Sequence, residues 1–225
     1  MALRAAIDER LAARDRQGAV EAAVWAVRNG ELGIDELYTL VLVPLLVDTG
    51  MSWQAGTTQV WEEHFATATV RTIVESLFTD VGTAASAAEK NGKSVVLTTP
   101  TGESHDLGLR MLADRLALAG WDSHYIGADT PTDQIAAAAR AFDADLVILS
   151  AATAYNRVLL RSVVDELRTS LPAKTRLGVG GPAFYSDRSW PAEELVSEAD
   201  LGLPVTGWAA HASDAAPSDA PDEGA

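Results

Sequence analysis

The period of the apolar pattern changes near residue 90, and that change restricts the fold more than any other feature. Ahead of it, apolar residues recur at helical spacing. Helices are expected at 2–15 and 17–29, the second ended by Asn29-Gly30, and at 34–50, bent near Pro44. Gly56 and the two threonines after it read as a turn, and 58–80 as the last long helix. Gly82 to Lys93 is a polar stretch of small residues that reads as the connection between two domains. Beyond it, strands are expected at 94–99, 122–126, 145–149 and 176–179, alternating with helices at 107–119, 131–142, 156–169 and 191–197, with a weak fifth strand at 199–203. Such alternation predicts a parallel, doubly wound sheet. No Gly-x-Gly-x-x-Gly follows the first strand, so the dinucleotide fingerprint is missing. The expected organisation is α followed by α/β: a four-helix bundle over 1–83, a Rossmann-like domain over 93–208, and a disordered acidic tail over 209–225.

Composition narrows the function classes. A hydrophobic share of 48% is enough for real cores. No apolar run reaches 18 residues without charges, so no membrane span is expected. The first ten residues carry early acids and lack a signal peptide's apolar centre. With no cysteine there are no disulfides and no zinc–thiolate sites, and a cytoplasmic protein is expected. The net charge of −15 argues against direct nucleic-acid binding, which rests on cations that displace counterions. Acidity of this size reads as a solubility trait.

The run Leu97-Thr98-Thr99-Pro100-Thr101-Gly102-Glu103-Ser104-His105-Asp106-Leu107-Gly108 starts as a strand and ends as a helix. Ligands of open α/β sheets bind beyond the carboxyl ends of the strands, where this loop falls. Glu103 stands two residues from His105. A metal can take one ring nitrogen while the carboxylate holds the other N–H, fixing the tautomer. One histidine is too few for a bare ion, but it suffices for a metal already caged in a macrocycle. Glu103, His105 and Gly108 spell Glu-x-His-x-x-Gly, which resembles the Asp/Glu-x-His-x-x-Gly signature of cobalamin-binding domains. The resemblance implies that His105 is the lower cobalt ligand, replacing the cofactor's own benzimidazole, with Asp106 also at the cofactor. It implies that Ser150, at the end of the third strand, and Gly180-Gly181, at the end of the fourth, line the slot for the displaced nucleotide tail. A flat aromatic tail needs the close backbone approach that glycine permits. Ser150-Ala151-Ala152-Thr153 stands where the family often continues Ser-x-Leu or Ser-x-Thr.

Trp53, nine further residues and then Glu63-His64 give Trp-x9-Glu-His. This resembles the cap motif of the adenosylcobalamin-binding light sensors related to the CarH and LitR transcription regulators. The likeness implies a helical bundle over the cobalt's upper face, with Trp53, Glu63 and His64 against the adenosyl group. Gln54 stands where the best-known of these sensors have a histidine. Adenosylcobalamin is thus the expected cofactor, and a sensor rather than an enzyme the expected role. The bundle begins almost at Met1, leaving no stretch for a basic winged helix ahead of it. Output is therefore expected through a protein partner, such as a transcription regulator or a methyltransferase, with homo-oligomers compatible. Two alternatives stay open: a corrinoid protein shuttling methyl groups between methyltransferases, and a cobalamin carrier or store.

Ordinary readings exist for each residue. Asp106 is well placed to cap the helix at Leu107. Trp53 suits a core aromatic, and His64 a bundle histidine satisfied by its neighbouring glutamate. Trp61 and Glu62 are expected to face the bundle or solvent. His124 and His211 have no expected cofactor role. A zinc or iron site from Glu63, His64, Glu103 and His105 leaves Ser150 and the glycine pair unexplained.

Overall fold

The computed structural model describes residues 2–184, 190, 191 and 193–205. The tail expected at 209–225, with His211, lies outside the described residues.

Four short strands form the sheet: β1 Ser94–Thr98, β2 Asp122–Tyr125, β3 Leu146–Ser150 and β4 Arg176–Gly180. All pair in parallel, in the order β2-β1-β3-β4. Side chains alternate across a strand. Val95, Leu97, Leu146 and Ile148 share one core with α7 (Leu107–Leu118), while Val96, Val147 and Leu149 share another with α8 (Thr132–Ala141) and α9 (Ala154–Ser170). The chain leaves β1 for β2 on one side, then crosses to β3 on the other. The switch point therefore lies between β1 and β3, and the loops after those two strands flank it.

The edge of the sheet departs from the expected helix at 191–197 and strand at 199–203. The exposed backbone of β4 needs partners. Val179 N–H donates to Glu194 O at 2.7 Å and Val196 N–H to Val179 O at 3.0 Å, a single parallel bridge centred on Leu195. That pairing takes the backbone groups a helix there would need. Residues Ala199–Leu201 form a 3₁₀ turn closed by Gly202 at φ +71°, and Leu201 and Leu203 point into the core beneath the sheet.

The N-terminal helices are α1 Ala2–Ala12 and α2 Arg16–Arg28, the latter capped by Asp15, whose Oδ1 accepts Gly18 N–H at 2.9 Å. Next comes a continuous rod: α3 Ile34–Glu36, a π-helical turn Leu37–Leu42, and α4 Val43–Gln54. The bend expected at Pro44 is this wide turn. Proline has no N–H and its ring crowds the carbonyl four residues back. In the wider winding Val43 N–H pairs with Tyr38 O, five residues back. The single helix expected at 58–80 is two, α5 Val60–Ser76 and α6 Phe78–Ala87, joined at Leu77 with φ −93° and ψ 2°. α6 runs on through much of the stretch read as a connection, because Val81 and Ala85 are buried one turn apart on its inner face. The bundle core gathers Ile7, Ala19, Leu37, Leu42, Leu45, Val70, Ile73 and Leu77.

α7 lies between the two halves. Leu107 and Met111 belong to the bundle core, while Leu109, Ala113 and Leu116 belong to the core under the sheet. The fully buried side chain of Arg115 pairs with Asp35 on α3 and with Glu198, 2.5 Å away, near the described C-terminus. Among the described residues, no helix is long and apolar enough to cross a membrane.

Candidate functional site

The β1–α7 loop carries His105 to the switch point. Gly102, at φ +87°, turns the loop, and its N–H donates to Asp129 Oδ1 at 2.8 Å on the neighbouring β2–α8 loop. The His105 side chain is 62% exposed, whereas that of Glu103 is 1% exposed. Glu103 Oε1 lies 2.6 Å from His105 Nδ1 and accepts the His105 backbone N–H at 2.9 Å. Its Oε2 accepts Ala152 N–H and Asn156 Nδ2, each at 2.8 Å, from the β3–α9 side. Burial by itself raises a carboxyl pKa, but the hydrogen bonds from His105, Ala152 and Asn156 outweigh it and bring Glu103 down to about 2. The His105 pKa is raised, first by the Glu103 hydrogen bond, against burial, with the charges of Glu103, Glu63 and Asp106 adding to it. With Nδ1–H donating to Glu103, the ring presents its lone pair at Nε2, which has no hydrogen bond among the described residues.

Ser150 and Gly180 are partners across β3 and β4. Gly181 adopts φ +102°, and a Cβ there would come within 2.6 Å of Ser150 Oγ and 2.5 Å of Ala151 O. Only glycine fits, so Ser150 and the glycine pair form one surface at the strand ends. Gly108 is in the first turn of α7.

Asp106 is at the N-cap position of α7, yet its side chain makes no cap hydrogen bond. This corrects the expected helix-capping role. The carboxylate turns instead to the bundle: Arg71 Nη2 donates to Oδ1 at 2.5 Å, and the Tyr125 hydroxyl donates to Oδ2. Burial would raise the Asp106 pKa, but Arg71 and Tyr125 hold it below the usual carboxylate range.

On the bundle side, Glu63 and His64 occupy the first turns of α5. Glu63 accepts the Thr67 hydroxyl at 2.7 Å and lies 3.5 Å from His64 Nε2. The His64 side chain is 73% exposed. It stands at one end of an open groove that runs along α5 past Thr67, Ala68 and Arg71. Trp53 is in the last turn of α4 and is 47% exposed, so it is not a core aromatic. Among the described residues no hydrogen bond or ring contact ties it to Glu63 or His64. Trp61 is exposed under the Arg14 guanidinium, and Glu62 accepts Gln59 N–H in a capping box. His124 stacks on Phe142 with centroids 4.0 Å apart, away from the switch point. No three or more His, Cys, Asp or Glu side chains among the described residues form a group able to hold a bare ion.

Asn156, Arg71 and Tyr125 were missed in the sequence. The one signal for Asn156 is a polar residue in the first turn of α9, three positions after its Thr153 cap. Arg71 is seven residues after His64 and shares its helix face.

Comparison with known proteins bears on the family and the fold. The profile of a B12 binding domain matches residues 93–213, and a second B12 binding domain profile matches residues 3–77. The HTH-type transcriptional repressor CarH of Myxococcus xanthus is 31% identical over 149 residues, 66% of this chain and 48% of that protein. The chain thus spans about half the length of that relative. Dimethylamine corrinoid protein 1 of Methanosarcina acetivorans is 28% identical over 167 residues, 74% of this chain and 77% of that protein. Among solved structures, the monomethylamine corrinoid protein of Methanosarcina barkeri shares the fold, with a TM-score of 0.69 at 15% identity, covering 92% of this chain and 94% of that one.

Proposed function

Because the chain belongs to the B12 binding domain family and is a cobalamin-binding protein, we propose that it holds adenosylcobalamin between bundle and sheet as a light-responsive regulatory switch. The observation that carries this reading is the His105 ring, tied at Nδ1 to a buried carboxylate and open at Nε2. That donor set suits a metal already held by a macrocycle, which would need only one imidazole with a fixed tautomer. The strand ends fit the rest of the cofactor. A Cβ on Gly180 would meet only Val196 O, at 4.0 Å, so a flat ring can approach the backbone there. Bound adenosylcobalamin supplies a cobalt–carbon bond weak enough for visible light to break.

The chain's own residues do the rest. With the cofactor bound, His105 would be the residue that holds the cobalt, and Glu103 would keep its proton at Nδ1. Asn156 and the Ala152 N–H fix Glu103. Ser150, Gly180 and Gly181 would line the slot for the tail, with Gly108 at the start of α7. Trp53 would offer an aromatic face to the adenosyl group, and Glu63 an acceptor for a ribose hydroxyl. A protein that holds one bundle position with the upper group present and another without it is a two-state switch, read out by a protein partner.

Two measurements test this. Paramagnetic resonance of the cob(II)alamin complex of nitrogen-15-labelled protein is expected to show splitting from a protein nitrogen, lost in His105→Ala. Illumination of the adenosylcobalamin complex is expected to change both its absorption and its elution volume. If light changes neither, the sensor reading fails. The second reading, a corrinoid protein carrying methyl groups, then takes its place. What favours it is the similarity to a dimethylamine corrinoid protein over 74% of this chain and 77% of that one. The methyl reading predicts stoichiometric methylcobalamin binding that Glu63→Ala leaves unchanged.

A further inference from the structure

An N-cap aspartate that leaves its own helix uncapped forgoes a stabilising hydrogen bond to the first turn. Asp106 does so, immediately after His105, and spends its carboxylate on two groups from elsewhere in the fold. Arg71 reaches it from α5 of the bundle, with Nη2 at 2.5 Å and Nη1 at 3.4 Å. Tyr125 reaches it from the end of β2. Beyond Tyr125 the connections continue. The Arg110 guanidinium stands 5.8 Å from the Tyr125 ring centroid and pairs with Asp114. Asp114 accepts the Tyr38 hydroxyl at 2.9 Å, on the π-helical turn. Arg110 also approaches Glu75 of α5, at 3.7 Å.

Arg71 shares its face of α5 with His64, two helical turns away, or about 10 Å along the axis. One rigid helix thus carries the cap residues Glu63 and His64 at its start and a grip on the His105 loop at its middle.

We propose that Arg71, Asp106 and Tyr125 form a latch between bundle and sheet that positions His105, so that a displacement of α5 at its cap end is transmitted to the ligand ring. Arg71 and Asp106 are positioning residues in this scheme and need not touch the cofactor. The inference rests on the reading of His105 as the cobalt ligand, and it adds how that ligand is regulated.

The chain has no cysteine, so cysteines placed at Glu21 on α2 and Asp133 on α8 accept spin labels without background. In the cofactor-free protein, Arg71→Met is expected to broaden the distance distribution between the labels. In the complex it is expected to weaken cobalamin binding by about 5- to 10-fold, the effect of one partly exposed charge-assisted pair. It also lowers the fraction of cob(II)alamin showing protein-nitrogen splitting. Arg71→Lys, which keeps the charge but not the fork, is expected to fall between Arg71→Met and wild type. Tyr125→Phe removes a single hydroxyl without disturbing the bundle and shifts the splitting in the same direction, more weakly. Unchanged label distances in Arg71→Met overturn the latch. So do changed distances with wild-type splitting and affinity, which reduce Arg71 to a structural contact. Absence of protein-nitrogen splitting in the wild type overturns the functional reading instead, on a sample that carries no variant, and the cofactor-free distances still judge the latch.

Discussion

Glu103 accepts hydrogen bonds from the His105 ring, the His105 and Ala152 backbones and the Asn156 amide while closed off from water. Its pKa falls from 4.5 to about 2. A group whose pKa is depressed on folding contributes stability above its unfolded value and loses it as pH drops through the folded one. Glu103 should therefore withdraw about 3 kcal/mol of stability between pH 4.5 and 2. Urea unfolding at a series of pH values measures this. Glu103→Gln should flatten the profile in that window. It should also cost about 1–3 kcal/mol at pH 7, because its amide must face one of the donors now satisfied by a carboxylate oxygen. A wild-type slope retained in the variant would show that another group governs acid unfolding. The pairing of Glu103 with His105 was legible in the sequence because both sit on one short loop. Asn156 was not, because it arrives from 53 positions away, in the first turn of α9. Asp106 misled for a related reason. Its sequence position is that of a cap, and only the tertiary partners Arg71 and Tyr125 draw its carboxylate off.

Among the elements, the rod from Ile34 to Gln54 joins its wide turn to a buried polar contact. The π-helical turn carries Tyr38, fully buried, to Asp114 on α7. Burial, together with the Asp114 charge, pushes the Tyr38 hydroxyl pKa well up, so it stays a donor at all ordinary pH. Tyr38→Phe is expected to destabilise the protein by about 1–3 kcal/mol, since Asp114 loses a partner in a place water does not reach. Thr49→Ala, at a position that only bonds back to its own helix through Leu45 O, should cost less than about 0.5 kcal/mol. Equal losses in chemical denaturation would contradict a special role for the turn. Pro44 announced the bend in the sequence, but the shape of the bend was hidden. A kink and a wide turn share the same proline, and the choice depends on what Tyr38 reaches. The helix over 58–80 hid its break for the opposite reason: no proline or glycine stands at Leu77, and the turn there follows from packing α6 against α7.

For the molecule as a whole, α7 decides how the halves cohere. Met111 is fully buried, in the bundle core, although it lies on a helix of the sheet domain. Met111→Ala should cost about 2–5 kcal/mol. Because α7 belongs to both cores, bundle and sheet should unfold together, in the variant as in the wild type. Far-ultraviolet circular dichroism and tryptophan fluorescence should then report one midpoint, and two separate midpoints would show that the halves fold independently. Helix–strand alternation made the parallel sheet legible, and all four strands form where they were expected. The sheet's far edge was not legible, since Leu195 pairs with Val179 through a single bridge too short to leave a pattern. The shared helix also bears on modularity. A graft that joins this bundle to another sheet at residues 88–93 would leave Leu107 and Met111 behind and open the floor of the bundle. A cut at Leu118 fails as well, since Leu109, Ala113 and Leu116 would lose the core under the sheet, so bundle and sheet can be moved only together.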